Sequence, residues 1–312
     1  MERRVPARLS YLALAAFSIA CSAAGGGPAG ENSGSGAAAS SSAGTNSGSG
    51  LSPSVPSGGG PVLAPVEQPP EEKCEAILEL TVRDFQPSAN PDFESYNGLN
   101  DIGCGMVQAG LGTDTKPVFF SGIGSMKRVT KGDFSALTFD SCADWNGWSP
   151  TPVITDQASF DQWYRDVEGV NQAVTVPITL NDVGDGSGNL VYDNPAFFPI
   201  DNMGFGNTPN QQHNFHFTTE GHVKFGYVAG QKFTFRGDDD LWIFVNGKLA
   251  LDLGGMHLPI EATIDFDKQA ADLGIRVGGT YQMDIFHAER HTNQSNFRIE
   301  TNIRCFEPVK VK

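Results

Sequence analysis

Long hydrophobic runs are scarce in this chain. The clearest, Leu9 to Ala20, falls short of the roughly 20 apolar residues that a permanent membrane-spanning helix needs. None of the five cysteines forms a CxxC pair, which removes the usual zinc-ribbon and dithiol redox patterns. Basic charge is thin: 21 Lys+Arg face 36 Asp+Glu, a formal net charge of −15. A chain of that sign is a poor partner for nucleic acid or an anionic lipid surface. From Ser22 to about Glu72 large apolar side chains nearly vanish, leaving Gly, Ser, Ala, Asn and Pro. Such a stretch cannot bury enough surface to offset its ordering entropy, so residues 22–73 read as a disordered linker. Its root-mean-square reach is on the order of 40 Å. No internal repeat stands out, and no Ser/His/Asp or Cys/His arrangement points to a catalytic nucleophile.

What is present begins with an export signal. Arg3, Arg4 and Arg8 precede the short apolar run, which ends in small residues; this is the layout of a signal peptide. Ser18-Ile19-Ala20-Cys21 resembles the bacterial lipobox, which implies cleavage before Cys21 and lipidation of its thiol. Ser22, in place of Asp, implies sorting to the outer membrane. Residues 1–21 are therefore expected to be a lipoprotein signal, and the linker to lift a cell-surface domain clear of the headgroups. Four further cysteines, Cys74, Cys104, Cys142 and Cys305, suggest two disulfides in an exported domain, with three connectivities possible. Cys74 opens the folded region and Cys305 closes it, so the pairing read from position is Cys74–Cys305 with Cys104–Cys142.

Residues 74–307 have globular composition and period-two alternation. Ile77 to Phe85, Gln231 to Arg236, Leu241 to Val245 and Lys248 to Leu253 read as strands. Asn246-Gly247 supplies a type I′ hairpin turn, since both positions need positive φ. Tyr281 to Phe286 and Asn296 to Arg304 read as a last antiparallel pair. One helix is expected, Ser159 to Val167, with Phe160, Trp163 and Tyr164 on one face and Gly169 as its stop. The fold class is all-β: an antiparallel β-sandwich with long loops and one short helix.

The most pointed segment runs Phe235-Arg236-Gly237-Asp238-Asp239-Asp240-Leu241-Trp242 and on to Asn246-Gly247. Three adjacent carboxylates between apolar strands repel one another, and hard oxygen ligands suit Ca²⁺. The stretch resembles the signature of the fibro-slime family, itself similar to the protective-antigen-like β-sandwich of toxins, glycosidases and yeast flocculins. The resemblance continues through Asp252-Leu253-Gly254-Gly255-Met256-His257, Phe286-His287-Ala288-Glu289-Arg290-His291-Thr292 and Ser295-Asn296-Phe297-Arg298-Ile299. Upstream, Val82 to Phe85, Asn90 to Glu94 and Phe160 to Tyr164 fit the same pattern. In sugar-binding relatives two consecutive Asp residues, joined by a cis peptide, hold Ca²⁺ with an Asn of a neighbouring loop, and the ion contacts sugar hydroxyls. Carried over, this implies Asp238 and Asp239, or Asp239 and Asp240, as metal ligands with Asn293 or Asn296 as the third. It also implies His257, Glu289, Arg290 and His291 as ligand-binding residues around them.

The function expected is calcium-dependent binding of an extracellular polysaccharide or glycan by a surface lipoprotein, without catalysis. Two alternatives compete with it. A matrix protein would recognise other surface proteins without a sugar pocket. A glycosidase would need two carboxylates across a cleft, which adjacent Asp residues on one loop do not offer. A zinc site from His257, His287 and His291 would need the last two on a helix, where the pattern is strand. Arg236-Gly237-Asp238 spells an adhesion tripeptide, and Asn293-Gln294-Ser295 a glycosylation sequon, but both sit inside the loop pattern already read. Trp145, Trp148, Phe205 and His213 are candidate sugar-stacking rings in the long insertion.

Overall fold

The computed structural model describes residues 76–86, 88–96, 101–122, 125–128, 137–138, 147–148 and 152–311. The expectations for the signal, Cys21, the linker, Cys74, Cys142 and Trp145 lie outside them. The elements are β1 (Ile77–Phe85), β2 (Asp101–Cys104), β3 (Ser125–Arg128), β4 (Leu137–Thr138), β5 (Gly147–Trp148) and α1 (Gln157–Phe160). There follow β6 (Asn171–Thr179), β7 (Asn181–Asp182), β8 (Leu190–Asn194), β9 (Phe217–Gly226), β10 (Lys232–Gly237), β11 (Asp240–Val245) and β12 (Lys248–Leu253). The chain ends through β13 (Ile260–Asp265), α2 (Phe266–Leu273), β14 (Thr280–Glu289), β15 (Phe297–Thr301) and β16 (Glu307–Pro308).

The fold is a mostly antiparallel sandwich. The first sheet has the order β12-β11-β14-β9-β1-β6 with β16 added on β9; the second has β4-β13-β10-β15-β8-β7. The small third sheet is β2-β3-β5. One core lies on the inner faces: Leu78, Leu80 and Val82 of β1, Leu241 and Ile243 of β11, Phe233 and Phe235 of β10, and Phe297 and Ile299 of β15. Alternation along each strand delivers these residues to one side. A second core covers the outer face of the first sheet, where Trp242, Phe244 and Phe286 meet Phe160, Trp163, Tyr164 and Ile154. Each such side chain contributes about 1.5–3 kcal/mol on burial. This layer fastens the long insertion to the sheet.

Three local outcomes differ from the sequence reading. The helix is Gln157–Phe160, capped by Asp156 in a capping box with Ser159. It stops because the Asn171 amide takes the Gln162 and Arg165 carbonyls, which a longer helix would have used. Phe160, Trp163 and Tyr164 are still all buried together. A second helix, α2, is capped by Asp265 at its start and by Gly274 at φ 69 at its end; its eight residues are too few to stand out as a periodic pattern. Finally, β14 and β15 do not pair: β14 sits between β11 and β9, whereas β15 lies between β10 and β8 in the other sheet. The Asn246-Gly247 turn has φ of 53 and 73, as its residue types require.

Candidate functional site

The acidic loop is where the chain changes sheets. β10 ends in the second sheet at Gly237, and β11 begins in the first at Asp240, so Asp238-Asp239 bridges the gap. Residues 290–296 cross the same gap from β14 to β15. Register places the two crossovers side by side, with Asp240 opposite Ala288 and Gly237 opposite Phe297. A Cβ on Gly237 would lie 2.4 Å from the Asn296 carbonyl oxygen, so only glycine lets the loops approach this closely. The Asp238–Asp239 and Thr292–Asn293 peptide bonds are both cis.

The three aspartates have separate surroundings. Asp238 accepts from the backbone amide of Asn296 and, at 3.0 Å, from its side-chain Nδ2. Asp239 accepts from the amides of His257 at 3.2 Å, Arg290 at 3.2 Å and His291 at 3.1 Å. Asp240 instead takes a two-pronged bond from the Arg290 guanidinium, at 2.7 and 3.1 Å, and another from the Gly255 amide at 2.7 Å. Arg290 also donates to the carbonyls of Asp92 and Val153, both at 2.8 Å, and lies 4.7 Å from the Trp163 ring centre. Both Asp240 and Arg290 are 0% exposed. That pair is a buried tie between the loop and the insertion.

Burial pushes Asp238 up to about 6 against the pull of the Asn296 bonds. Burial, then the charges of Asp238 and Asp240, push Asp239 well above the carboxylate range. Glu289 rises likewise, through burial and the Asp239 and Asp238 charges; its two carboxylate oxygens have no hydrogen-bond partner among the described residues. The nearby Ser295 hydroxyl donates to Phe197 instead. Burial lowers His257, and lowers His287 to about 4. A neutral His287 then donates from Nε2 to the Asp238 carbonyl at 2.7 Å.

An open cavity of about 260 Å³ lies over this loop, lined by Asp238, Asp239, His257, His291, Asn293 and Tyr96 among others. Five of the expected residues therefore converge on it. Asn296 does not line it, and holds Asp238 from the side. Glu289 and Arg290, expected to touch ligand, do not line it either: the strand carries Glu289 inward, and Arg290 turns beneath the loop to Asp240. Phe205 and His213 are absent from its wall; His213 stacks on Phe198 at 4.0 Å between ring centres. Trp148 lies in β5. The ring present is Tyr96, stacked on His291 at 4.2 Å, and His291 Nδ1 is 2.6 Å from Glu94 Oε2. Tyr96 was not singled out in sequence, and Glu94 was read only within the upstream pattern Asn90 to Glu94 and not as a site residue, because almost 200 positions separate them from the loop they support. Among the described residues no three His, Cys, Asp or Glu side chains group as a metal site, so the zinc arrangement finds no support. A hard cation would instead draw on carboxylate and amide oxygens together, and Asp238, Asp239 and Asn293 offer that set. Cys104 and Cys305 are each disulfide-bonded.

The chain is similar to several proteins of Dictyostelium discoideum. Protein psiC is 35% identical over 75% of this chain and 43% of its own length. For protein psiD the figures are 37%, 73% and 41%, and for protein psiH 41%, 74% and 31%. The chain thus spans less than half the length of these relatives. A β-glucuronidase from an uncultured Clostridium sp. aligns at 13% identity and a TM-score of 0.21, over 46% of this chain and 25% of that one, too distant to bear on the site. Residues 193–305, which carry β9 through β15 and both crossover loops, match the PA14 domain.

Proposed function

We propose that the domain is a calcium-dependent carbohydrate-binding module of an exported surface lipoprotein, with Asp238, Asp239 and Asn293 as protein ligands to Ca²⁺. One observation carries the reading: two adjacent carboxylates border an open cavity and are held only by neutral amides, while the guanidinium beneath them is already engaged by Asp240. The Asp240–Arg290 pair favours Asp238-Asp239 over Asp239-Asp240 as the ligating pair. Asn296 acts as the brace that fixes Asp238, and Glu94, through His291, braces the opposite rim. When bound, the ion would supply open coordination positions for sugar hydroxyls, and Tyr96 and His291 an apolar face beside them. Adjacent aspartates on one loop do not stand as acid and base across a cleft, which supports the reading of binding over catalysis. The partner is an extracellular polysaccharide or glycan, presented to a domain tethered to the outer membrane through Cys21.

Calorimetric titration with Ca²⁺ followed by a glycan array tests this. The Asp238→Asn/Asp239→Asn double variant should lose calcium uptake and calcium-dependent glycan binding while unfolding at a similar temperature. Glycan binding that persists unchanged in the double variant, or in excess chelator, removes the mechanism. Calcium uptake with an empty array would instead favour a matrix protein that binds other surface proteins.

A further inference from the structure

A second and larger cavity, of about 600 Å³, opens on the outer face of the first sheet and shares no lining residue with the one at the acidic loop. Its size falls in the range of about 300–1,000 Å³ typical of small-molecule sites. The floor is made by outward-facing Thr81 and Arg83 of β1 and Glu220 and His222 of β9. Thr81 stands opposite Glu220 in the sheet, so these side chains share one face. Pro308 and Val309 give one wall an apolar surface.

Charge in this cavity is built in and balanced. Glu220, 3% exposed, accepts from Arg83 at 2.6 Å and is also bonded to Lys116 and His222. Arg83 in turn pairs with Asp166 at 2.9 Å, and Arg165 with Asp114 at 2.7 Å. His222 is shared between Glu220 and Asp284. The remaining charged lining residues, Glu79 and Lys310, are opposite in sign. A wall so balanced has no surplus to attract an anion or a metal cation, yet it offers donors and acceptors closely interleaved.

An independent feature lies in the wall of the same cavity. Tyr164 lines the cavity and is 1% exposed. Its ring is fixed in the outer core, 4.9 Å from Phe286 between centres, but its hydroxyl has no hydrogen-bond partner among the described residues. A buried hydroxyl left unpaired is destabilising unless something arrives to pair with it. We propose that this cavity binds a neutral polyhydroxylated ligand, a sugar residue, as a second saccharide site that needs no calcium. A sugar hydroxyl donates and accepts at the same atom, which suits a wall of paired cations and carboxylates, and it completes the Tyr164 hydroxyl. The inference stands apart from the calcium loop, because neither residues nor cation are shared.

The test uses the full chain in excess chelator, titrated with glucose, galactose, mannose, N-acetylglucosamine, cellobiose and lactose, with glucuronic acid and inorganic phosphate as charged probes. At least one neutral sugar should bind. Tyr164→Phe keeps the packed ring, so the protein should remain folded while affinity for that sugar falls about five- to tenfold. Asp238→Asn/Asp239→Asn should bind it as the unaltered chain does. The proposal is overturned if no neutral sugar binds, if only a charged probe binds, or if Tyr164→Phe leaves affinity unchanged. Loss of binding in the Asp238/Asp239 variant would return the sugar to the acidic loop and also overturn it.

Discussion

Replacing Arg290 by Met removes the tie beneath the acidic loop while keeping a side chain of comparable length. The guanidinium makes two bonds to Asp240 and one to each of the Asp92 and Val153 carbonyls, all buried. Stripping one partner from a buried ion pair costs about 3–5 kcal/mol, because the other charge is left uncompensated. Orphaning two carbonyls adds to that, bringing the loss to about 4–7 kcal/mol. Against a usual stability of about 5–15 kcal/mol, this variant should be partly unfolded at ambient temperature or have a much lower urea midpoint. Urea unfolding followed by circular dichroism measures it. Adding Asp240→Asn removes the stranded charge and keeps an acceptor for the Gly255 amide, so the double variant should recover about 2–3 kcal/mol of the loss. A loss below about 1 kcal/mol for Arg290→Met, or a double variant no more stable than the single, would refute the structural role given to this pair. Calcium titration of the recovered double variant is a second readout, since the Arg290 and His291 amides hold Asp239.

Further outcomes follow from the same geometry. Gly237→Ala drives a methyl into the Asn296 carbonyl; it should cost about 1–3 kcal/mol by thermal unfolding and weaken calcium uptake by moving Asn296 off Asp238. Glu220 is raised by burial, but bonds to His222 and the charges of Arg83 and Lys116 outweigh this and hold it down at about 2 from an ordinary 4.5. That depression is worth about 3 kcal/mol, fully present above pH 4.5 and lost as pH falls toward 2. His222 is lowered by burial but raised overall by Asp284 and Glu220, so its share is complete below pH 6.5 and is lost as pH rises from there through its raised value. The share of stability that comes from this network should therefore peak between about pH 4.5 and 6.5, read as the difference in denaturant midpoint between the unaltered chain and Glu220→Gln; a difference that does not shrink toward acid pH would count against the network. Peptide mapping without reductant should recover Cys74 linked to Cys305 and Cys104 linked to Cys142, any other pairing correcting the positional reading. Cys21→Ser should abolish incorporation of labelled fatty acid in a bacterial host and release the protein from membranes, and unchanged labelling would exclude Cys21 as the anchor.

Much of the fold was legible in the chain because it depends on local rules. Period-two alternation located β1 and β10 to β12 within a residue or so, and Asn246-Gly247 declared its turn through the φ angles those residues tolerate. Gly237-Asp238-Asp239-Asp240 was visible as three like charges between apolar strands. What the strands alone did not reveal was partnership: β14 and β15 alternate equally well whether they pair or face each other across the core. Short-range pattern also missed α2, whose eight residues take their helical state from caps and packing. It overextended α1, whose later carbonyls are claimed by Asn171 from outside the segment.

The division at the site has the same cause. The sequence by itself determined that carboxylates would crowd one loop and that Asn and His residues would follow β14. Tertiary structure decided which of them border the open cavity. The two loops meet because both cross between the sheets at adjacent register positions, and that juxtaposition sends Asp238, Asp239 and Asn293 to an open cavity. It sends Asp240 to Arg290, turns Glu289 inward and brings Glu94 and Tyr96 from almost 200 residues away. Side-chain direction at a crossover depends on what the opposite strand presents, and no span of neighbouring residues encodes that.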